Sequence, residues 1–183
     1  MIGLLILGLL IWTGAHLFKR VAPERRAAMG DSGRGIVAAA LGLSLVLMIW
    51  GFWKADFIPV WYPPSFLTHI NNLLMLVAIF VFGMSATTGR LRGKMRHPQL
   101  TAVKIWAVAH LLVNGDLASI ILFGGLLAWA VAEVIVINRA EPVWDRPPPG
   151  DAKKDVLLVV ITIVAYVVIS LIHLWLGVSP FGG

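Results

Sequence analysis

The sequence predicts an all-α membrane protein, a polytopic helical bundle of about six transmembrane helices with both termini on the outer face. Apolar residues make up 59% of the 183 residues and charged residues only 13%, whereas a soluble domain carries roughly 25% charged residues. The mean hydropathy is +0.88. A lipid environment accounts for both values. The chain has no cysteine, which excludes disulfides, thiolate metal sites and a cysteine nucleophile.

Six apolar runs approach or reach the roughly 20 residues that a helix needs to cross a bilayer. They cover residues 1–18, 35–53, 66–84, 99–114, 117–137 and 156–177. The fourth run is short, so its helix is expected to tuck in or to run untilted. The loops are too short to fold separately, which predicts one membrane domain over residues 1–183. No charged segment precedes the first run, and Lys19 and Arg20 follow it, so we interpret it as a retained anchor rather than a signal peptide.

Polar and proline residues mark where several of these helices should begin. Ser65 precedes the third run and Asp151 the sixth, so both are predicted N-caps. Pro98 fits the first turn of the fourth helix, where the missing amide hydrogen has no consequence. Between the fourth and fifth helices, Gly115 is expected to adopt a left-handed conformation as a C-terminal cap, and Asp116 to cap the next helix. These residues predict a tight helical hairpin.

The distribution of lysine and arginine predicts the orientation. Thirteen of them lie in the first, third and fifth loops, against one, Lys54, in the second. Loops with excess positive charge face the cytoplasm. The thirteen are Lys19, Arg20, Arg25, Arg26, Arg34, Arg90, Arg92, Lys94, Arg96, Arg139, Arg146, Lys153 and Lys154. The aromatic residues expected at the outer interface are Trp50, Trp53, Trp61, Tyr62 and Trp175. The net charge of +6 follows from this topology and from attraction to anionic lipid, and it requires no nucleic acid.

Five histidines are informative because a polar side chain at membrane depth is costly unless it is paired or functional. His69, His110 and His173 each lie four or five residues from the outer end of a predicted helix, so they are expected at nearly the same depth. His16 lies toward the cytoplasmic end of the first helix, and His97 lies at the mouth of the fourth. For each, a packing hydrogen bond and a ligand or cofactor site are both open interpretations.

Glu133 is a carboxylate at membrane depth, and the predicted hairpin places it level with Arg96 and His97. One interpretation is a binding mouth formed by these three residues. The other is an interfacial carboxylate near Arg139. Lys104, six residues into the fourth helix, is expected to extend toward the cytoplasmic surface. No phosphate-binding, dinucleotide-binding, serine-hydrolase or zinc-protease motif occurs.

Five segments of the chain carry a resemblance to a known family. They are residues 14–16, 61–64, 96–100, 104–119 and 173–180, and the most specific is 104–119, the segment around His110. In these segments the chain resembles the NnrU family of bacterial membrane proteins. The family is named for a gene that accompanies nitrite and nitric oxide reduction in denitrifying bacteria. The resemblance implies a multi-pass protein of the bacterial inner membrane that supports this metabolism, with protein partners that the sequence does not specify.

The NnrU family is in turn similar to the plant zeta-carotene isomerase, a plastid membrane enzyme that uses haem b to isomerise a cis double bond. The resemblance implies haem b as cofactor, with His16 and His110 as axial ligands of its iron and a small apolar or gaseous molecule as a further ligand. His69 and His173 are the replacements for His16, because straight helices would place His16 and His110 roughly 15 Å apart along the membrane normal. The isomerase also has a cysteine in the fourth helix, proposed as a redox-dependent haem ligand. This chain has Ala107 at that position, so the resemblance implies haem binding more directly than isomerase activity.

Two classes of function therefore remain open from the sequence. The first is a haem-binding accessory protein without turnover of its own. The second is an enzyme, either a cis–trans isomerase of a polyene such as zeta-carotene or an S-adenosylmethionine-dependent methyltransferase. The latter is considered because prenylcysteine and phospholipid methyltransferases also carry Arg-His-Pro at a helix mouth. Their glutamate- and tyrosine-rich tail has no counterpart here, since residues 139–155 are proline-rich.

Overall fold

The computed structural model of the protein describes residues 1–181. Within that range the chain forms seven α-helices and one 3-10 helix. They are α1 (Ile2–Val21), α2 (Pro23–Ala28), α3 (Ser32–Trp53), α4 (Leu67–Gly83), the 3-10 helix (Arg90–Lys94), α5 (Pro98–Val113), α6 (Leu117–Ala140) and α7 (Ala152–Trp175). The prediction of an all-α protein is confirmed.

Four of the helices are long and apolar enough to cross a membrane. These are α1, α3, α6 and α7, with 20 to 24 residues each. The apolar helices α4 and α5 are shorter, with 17 and 16 residues. In lipid, an α-helix satisfies its backbone N–H and C=O groups within the segment itself, which explains why runs rich in valine and isoleucine are helical here. The structure therefore supports a helical membrane protein, while the number of about six spans is not confirmed.

The predicted start signals of three helices, two aspartates and one proline, are confirmed. The carboxylate of Asp116 accepts a hydrogen bond from the backbone N–H of Ser119 at 3.0 Å. Asp151 accepts one from the N–H of Lys153 at 2.9 Å. Since Asp151 is the N-cap, the first residue of α7 is Ala152, four residues before the predicted start at residue 156. Pro98 occupies the first turn of α5, as predicted.

The prediction of a left-handed cap at Gly115 is wrong. Among the described residues, the glycines with positive φ are Gly30 and Gly177. The carbonyl oxygen of Gly115 instead accepts hydrogen bonds from the backbone N–H groups of Val60 and Trp61, at 2.8 and 3.1 Å. A contact with a segment distant in sequence therefore fixes this turn, and a local capping rule could not anticipate it.

Two further differences concern the starts of helices. Ser65 is not the N-cap of α4, which begins after Phe66 without a side-chain capping bond. The backbone carbonyl of Ser65, not its hydroxyl, accepts a hydrogen bond from Thr68 at 3.1 Å. The short helix α2 is absent from the predicted set, although Pro23 in its first turn and Glu24 after it are typical helix-start residues.

The chain forms two compact units. Unit 1 comprises Met1–Trp61 and Gly115–Pro142 and contains α1, α2, α3 and α6. Its central helix is α1, which packs against α3 and α6. Glycines allow the close approach: a Cβ atom on Gly51 of α3 would lie 2.5 Å from the backbone nitrogen of Leu5. A Cβ on Gly125 of α6 would lie 2.9 Å from the side chain of Leu9.

Unit 2 comprises Tyr62–Asn114 and the segment from Val143 onward, and it contains α4, the 3-10 helix, α5 and α7. Its central helix is α4, which packs against α5 and α7. One cluster of buried core residues comprises Val81, Met84, Ala102 and Leu158. The carboxylate of Asp155 accepts hydrogen bonds from the backbone N–H groups of Arg90 and Leu91, at 3.1 and 3.2 Å, which fasten the 3-10 helix to α7. A single domain over residues 1–183 stays a prediction.

Candidate functional site

His16 lies on α1 in a cluster of aromatic side chains within unit 1. Its ring centroid is 4.3 Å from that of Trp12, one turn earlier, and 4.7 Å from that of Trp129 on α6. The two indoles meet edge to face with centroids 5.3 Å apart. The Nδ1 atom of His16 lies 2.9 Å from the carbonyl oxygen of Trp12. Since a carbonyl oxygen can only accept, Nδ1–H donates this bond and Nε2 carries the lone pair, an arrangement typical of metal-binding histidines.

Three buried polar atoms without a hydrogen-bond partner accompany this cluster. They are Nε1 of Trp12, Nε1 of Trp129 and Oε2 of Glu133. Trp129 and Glu133 lie one turn apart on α6 and are 6% and 8% exposed. Such groups are uncommon in folded proteins, and each costs about 1–3 kcal/mol. This part of α1 and α6 is therefore the strongest candidate binding region in unit 1.

His110 lies near the end of α5 in unit 2 and is half-buried. Its Nδ1 atom is 2.9 Å from the carbonyl oxygen of Trp106, and the two ring centroids are 5.1 Å apart. The carbonyl oxygen of His110 accepts two hydrogen bonds from Asn114, one from its side-chain amide at 2.8 Å and one from its backbone N–H at 3.0 Å. Asn114 thus ends α5 and fixes the turn that carries His110.

A short internal repeat produces the same local geometry at both histidines. Residues 11–17 read Ile-Trp-Thr-Gly-Ala-His-Leu, and residues 105–111 read Ile-Trp-Ala-Val-Ala-His-Leu, identical at five of seven positions. In both copies, the tryptophan four residues before the histidine supplies the carbonyl oxygen that accepts Nδ1–H. The repeat was not among the predicted motifs, although aligning the two segments with each other reveals it.

Of the remaining histidines, His173 has the same bond to a backbone carbonyl four residues earlier, and His69 and His97 lie in other settings. His173 on α7 has Nδ1 2.8 Å from the carbonyl oxygen of Ile169, and it is close enough to His110 in unit 2 for an electrostatic interaction. His69 is exposed at the start of α4. His97 is half-buried and is the N-cap residue of α5.

The three residues of the predicted binding mouth are divided between the two units. Arg96 and His97 are half-buried residues of unit 2, and Glu133 is a buried residue of unit 1. Their predicted contact stays a prediction. In unit 1, the ion pair at the end of α6 joins Arg20 to Glu141, with the nitrogen and oxygen 2.6 Å apart.

The sequence model of the NnrU protein family matches residues 4–180, which is nearly the whole chain. The match includes both copies of the repeat and all of every helix described above except the first two residues of α1. No curated protein and no solved structure matches the chain at a significant level.

Proposed function

The chain belongs to the NnrU protein family, and we propose on this basis that it is a bacterial inner-membrane protein that binds haem b and supports nitrite and nitric oxide metabolism. The observation that carries the haem proposal is the repeated turn. In each copy a tryptophan ring packs against the imidazole, with centroids 4.3 and 5.1 Å apart. The carbonyl of that tryptophan accepts Nδ1–H, which directs the lone pair to Nε2. His173 shares the carbonyl bond, with Ile169 in place of the tryptophan. We propose His16 and His110 as the residues that would hold the haem iron through Nε2.

The residues of the candidate region fit a haem in their donor chemistry. A haem iron takes its remaining ligands from the porphyrin and needs only one or two axial side chains. This matters because residues 1–181 contain no group of three or more His, Asp or Glu side chains that could hold a bare metal ion. The unpartnered indole N–H groups of Trp12 and Trp129 are suitable donors for carboxylates such as the haem propionates.

The chain's own groups would set the properties of the site. The carbonyl oxygens of Trp12 and Trp106 fix the tautomer and the orientation of each imidazole, and such a hydrogen bond raises ligand basicity. The rings of Trp12 and Trp129 surround His16 with apolar surface that excludes water. When bound, a haem would supply an iron that exchanges one electron or, with one axial position open, binds a small gas such as nitric oxide.

We also propose that α4 and α5 cross the membrane, which gives six spans with both termini outside. At about 1.5 Å per residue these helices are about 25 Å long, close to the roughly 30 Å of hydrocarbon. Lys54, the cation of the second loop, lies over the rings of Trp50 and Trp53, 5.7 and 4.9 Å from their centroids. Such an aromatic pair is typical of a membrane interface.

Reporter fusions test this topology. Fusions after residues 62, 116 and 183 should report the outer compartment, and fusions after residues 26, 93 and 146 should report the cytoplasm. The proposed orientation rests on the excess of lysine and arginine in alternate loops. A cytoplasmic signal from the fusion after residue 116 would contradict the six-span arrangement, because it would place the turn between α5 and α6 on the wrong side.

The absorption spectrum of the detergent-purified protein tests the haem proposal. A Soret band together with α and β bands that sharpen on reduction is expected from the wild type. The matched control is the double variant His16→Ala/His110→Ala, purified in parallel, which should insert into the membrane but show no Soret band. A wild type without haem after expression with ample haem precursor would refute the proposal.

A further inference from the structure

Unit 1 contains an open groove between α1 and α3, with a volume of about 410 Å³. Its walls are apolar. They include Ile11, Gly14, Ala15 and Phe18 on α1, and Ile36 and Val37 on α3. A Cβ atom added to Gly14 would meet nothing within 4 Å, so the groove is open where Gly14 lines it.

The groove occupies a different face of α1 from the aromatic cluster. Ile11, Ala15 and Phe18 follow the spacing of a single stripe along a helix. Trp12 and His16 each come one residue later than a member of that stripe, which places them about 100° further around the axis. The groove is therefore separate from the region assigned to His16 above, and it does not depend on haem binding.

Two exposed cations lie about one helical turn beyond residues that line the groove, at the end where α1 connects to α3. Lys19 follows Ala15 by one turn of α1, and Arg34 precedes Val37 by three residues on α3. Neither side chain forms an ion pair within residues 1–181. The apolar run of α1 stops at Phe18, so this end of the groove lies where the helix leaves the hydrocarbon.

The segment between α1 and α3, residues 22–31, carries further charges, but the net charge near the end of the groove stays positive. Glu24 and Asp31 are exposed acids of the segment, and Arg25 is an exposed cation. Arg20 is paired with Glu141. The balance at the mouth of the groove is therefore positive, and it complements a negative headgroup.

We propose that the groove binds an anionic phospholipid. One acyl chain lies along the stripe from Ile11 to Phe18, which is about 10 Å long, and the headgroup phosphate lies between Lys19 and Arg34. A polyene would use the apolar stripe but would gain nothing from the cations. Free phosphate would use the cations but would not need the stripe. The combination of both features on one groove matches the amphipathic structure of a phospholipid.

The test measures lipid retention by the full-length protein with native mass spectrometry. The protein is purified from nanodiscs that contain equal amounts of palmitoyl-oleoyl phosphatidylglycerol and palmitoyl-oleoyl phosphatidylcholine. Each cation near a membrane surface contributes about a fivefold preference for an anionic lipid. The wild type should therefore retain phosphatidylglycerol preferentially, and Lys19→Gln/Arg34→Gln should reduce that preference to about twofold or less without changing phosphatidylcholine retention.

A second variant separates the groove from the cations. Gly14→Leu should lower retention of both lipids, because its side chain fills the groove. The matched controls are Gly42→Leu, at a glycine of α3 that also faces open space, and Lys54→Gln, at the other end of α3. Both controls should retain lipid like the wild type.

Three outcomes would overturn the proposal. The first is equal retention of the two lipids by the wild type, or a preference that survives Lys19→Gln/Arg34→Gln. The second is retention of added β-carotene that is unchanged by the cation variant but lost in Gly14→Leu, which would assign the groove to an apolar ligand. The third is binding of inorganic phosphate alone that is unchanged by Gly14→Leu, which would make the stripe irrelevant.

Discussion

The two copies of the seven-residue repeat lie in different surroundings. In unit 1, His16 packs against Trp129 of another helix, beside buried polar atoms that lack partners. In unit 2, His110 lies at the end of α5, where Asn114 binds its carbonyl oxygen twice. Both imidazoles are nevertheless held by the same bond to a tryptophan one turn earlier. The orientation of each histidine is thus encoded within one helical turn, whereas its environment is encoded by distant residues.

Two helix contacts, one in each unit, place a glycine against different kinds of atom. In unit 1, Gly51 of α3 faces the backbone of Leu5, and an added Cβ would lie 2.5 Å from its nitrogen. In unit 2, Gly83 of α4 faces the end of the Leu158 side chain, and an added Cβ would lie 2.6 Å from Cδ1 of that leucine. A backbone cannot yield to an added methyl group, but the end of a side chain can. Gly51 should therefore tolerate a larger residue less well than Gly83.

The largest expected effect tests this difference. Gly51→Ala should lower the free energy of unfolding by about 3 kcal/mol, whereas Gly83→Ala should lower it by about 1 kcal/mol or less. The measurement is unfolding in mixed micelles with increasing sodium dodecyl sulfate, followed by tryptophan fluorescence. Gly42→Ala, at an open position of α3, is the control. Equal losses for Gly51→Ala and Gly83→Ala would show that the backbone contact does not set the tolerance.

A smaller effect is expected at the carboxylate caps. Asp155→Ala in unit 2 removes two backbone hydrogen bonds and should cost about 2 kcal/mol. Asp116→Ala in unit 1 removes one and should cost about 1 kcal/mol. The same unfolding assay ranks the two, with the exposed Asp56→Ala as a control. A larger loss for Asp116→Ala would mean that the number of bonds does not determine the contribution of a cap.

The smallest effect is expected at the ion pair between Arg20 and Glu141. The two side chains are 23% and 55% exposed, and exposed pairs typically contribute less than about 1 kcal/mol. A double-mutant cycle with Arg20→Gln and Glu141→Gln should therefore give a coupling energy below about 1 kcal/mol. A coupling well above that value would indicate that the pair is shielded from solvent in the membrane.

The local features of the fold could be predicted from the sequence. The six apolar runs agree with helices to within a few residues, because lipid forces an apolar run to satisfy its own backbone. Asp116 and Pro98 are correct because a cap is a contact between residues close in the chain. Gly115 is wrong because Val60 and Trp61, far away in sequence, hold its carbonyl oxygen.

The candidate site was predictable only in part, for the same reason. His16 and His110 could be chosen from motifs, and their tautomers follow from the helix itself, because the backbone carbonyl four residues earlier accepts Nδ1–H, as it also does at His173. The contact of His16 with Trp129 depends on packing between α1 and α6, which no spacing reveals. Haem binding and the isomerase and methyltransferase alternatives stay predictions.

The central claim is that the repeated turn supplies haem ligands, and ferric absorption and electron paramagnetic resonance spectra of three variants test it most directly. His110→Ala should lose haem while the protein still inserts. His16→Ala should retain a haem with a five-coordinate, high-spin spectrum, because one axial nitrogen is removed. His69→Ala, at the exposed histidine of α4, should match the low-spin wild type. An unchanged low-spin spectrum for His110→Ala would contradict the claim and would make His69 and His173 the leading candidates instead.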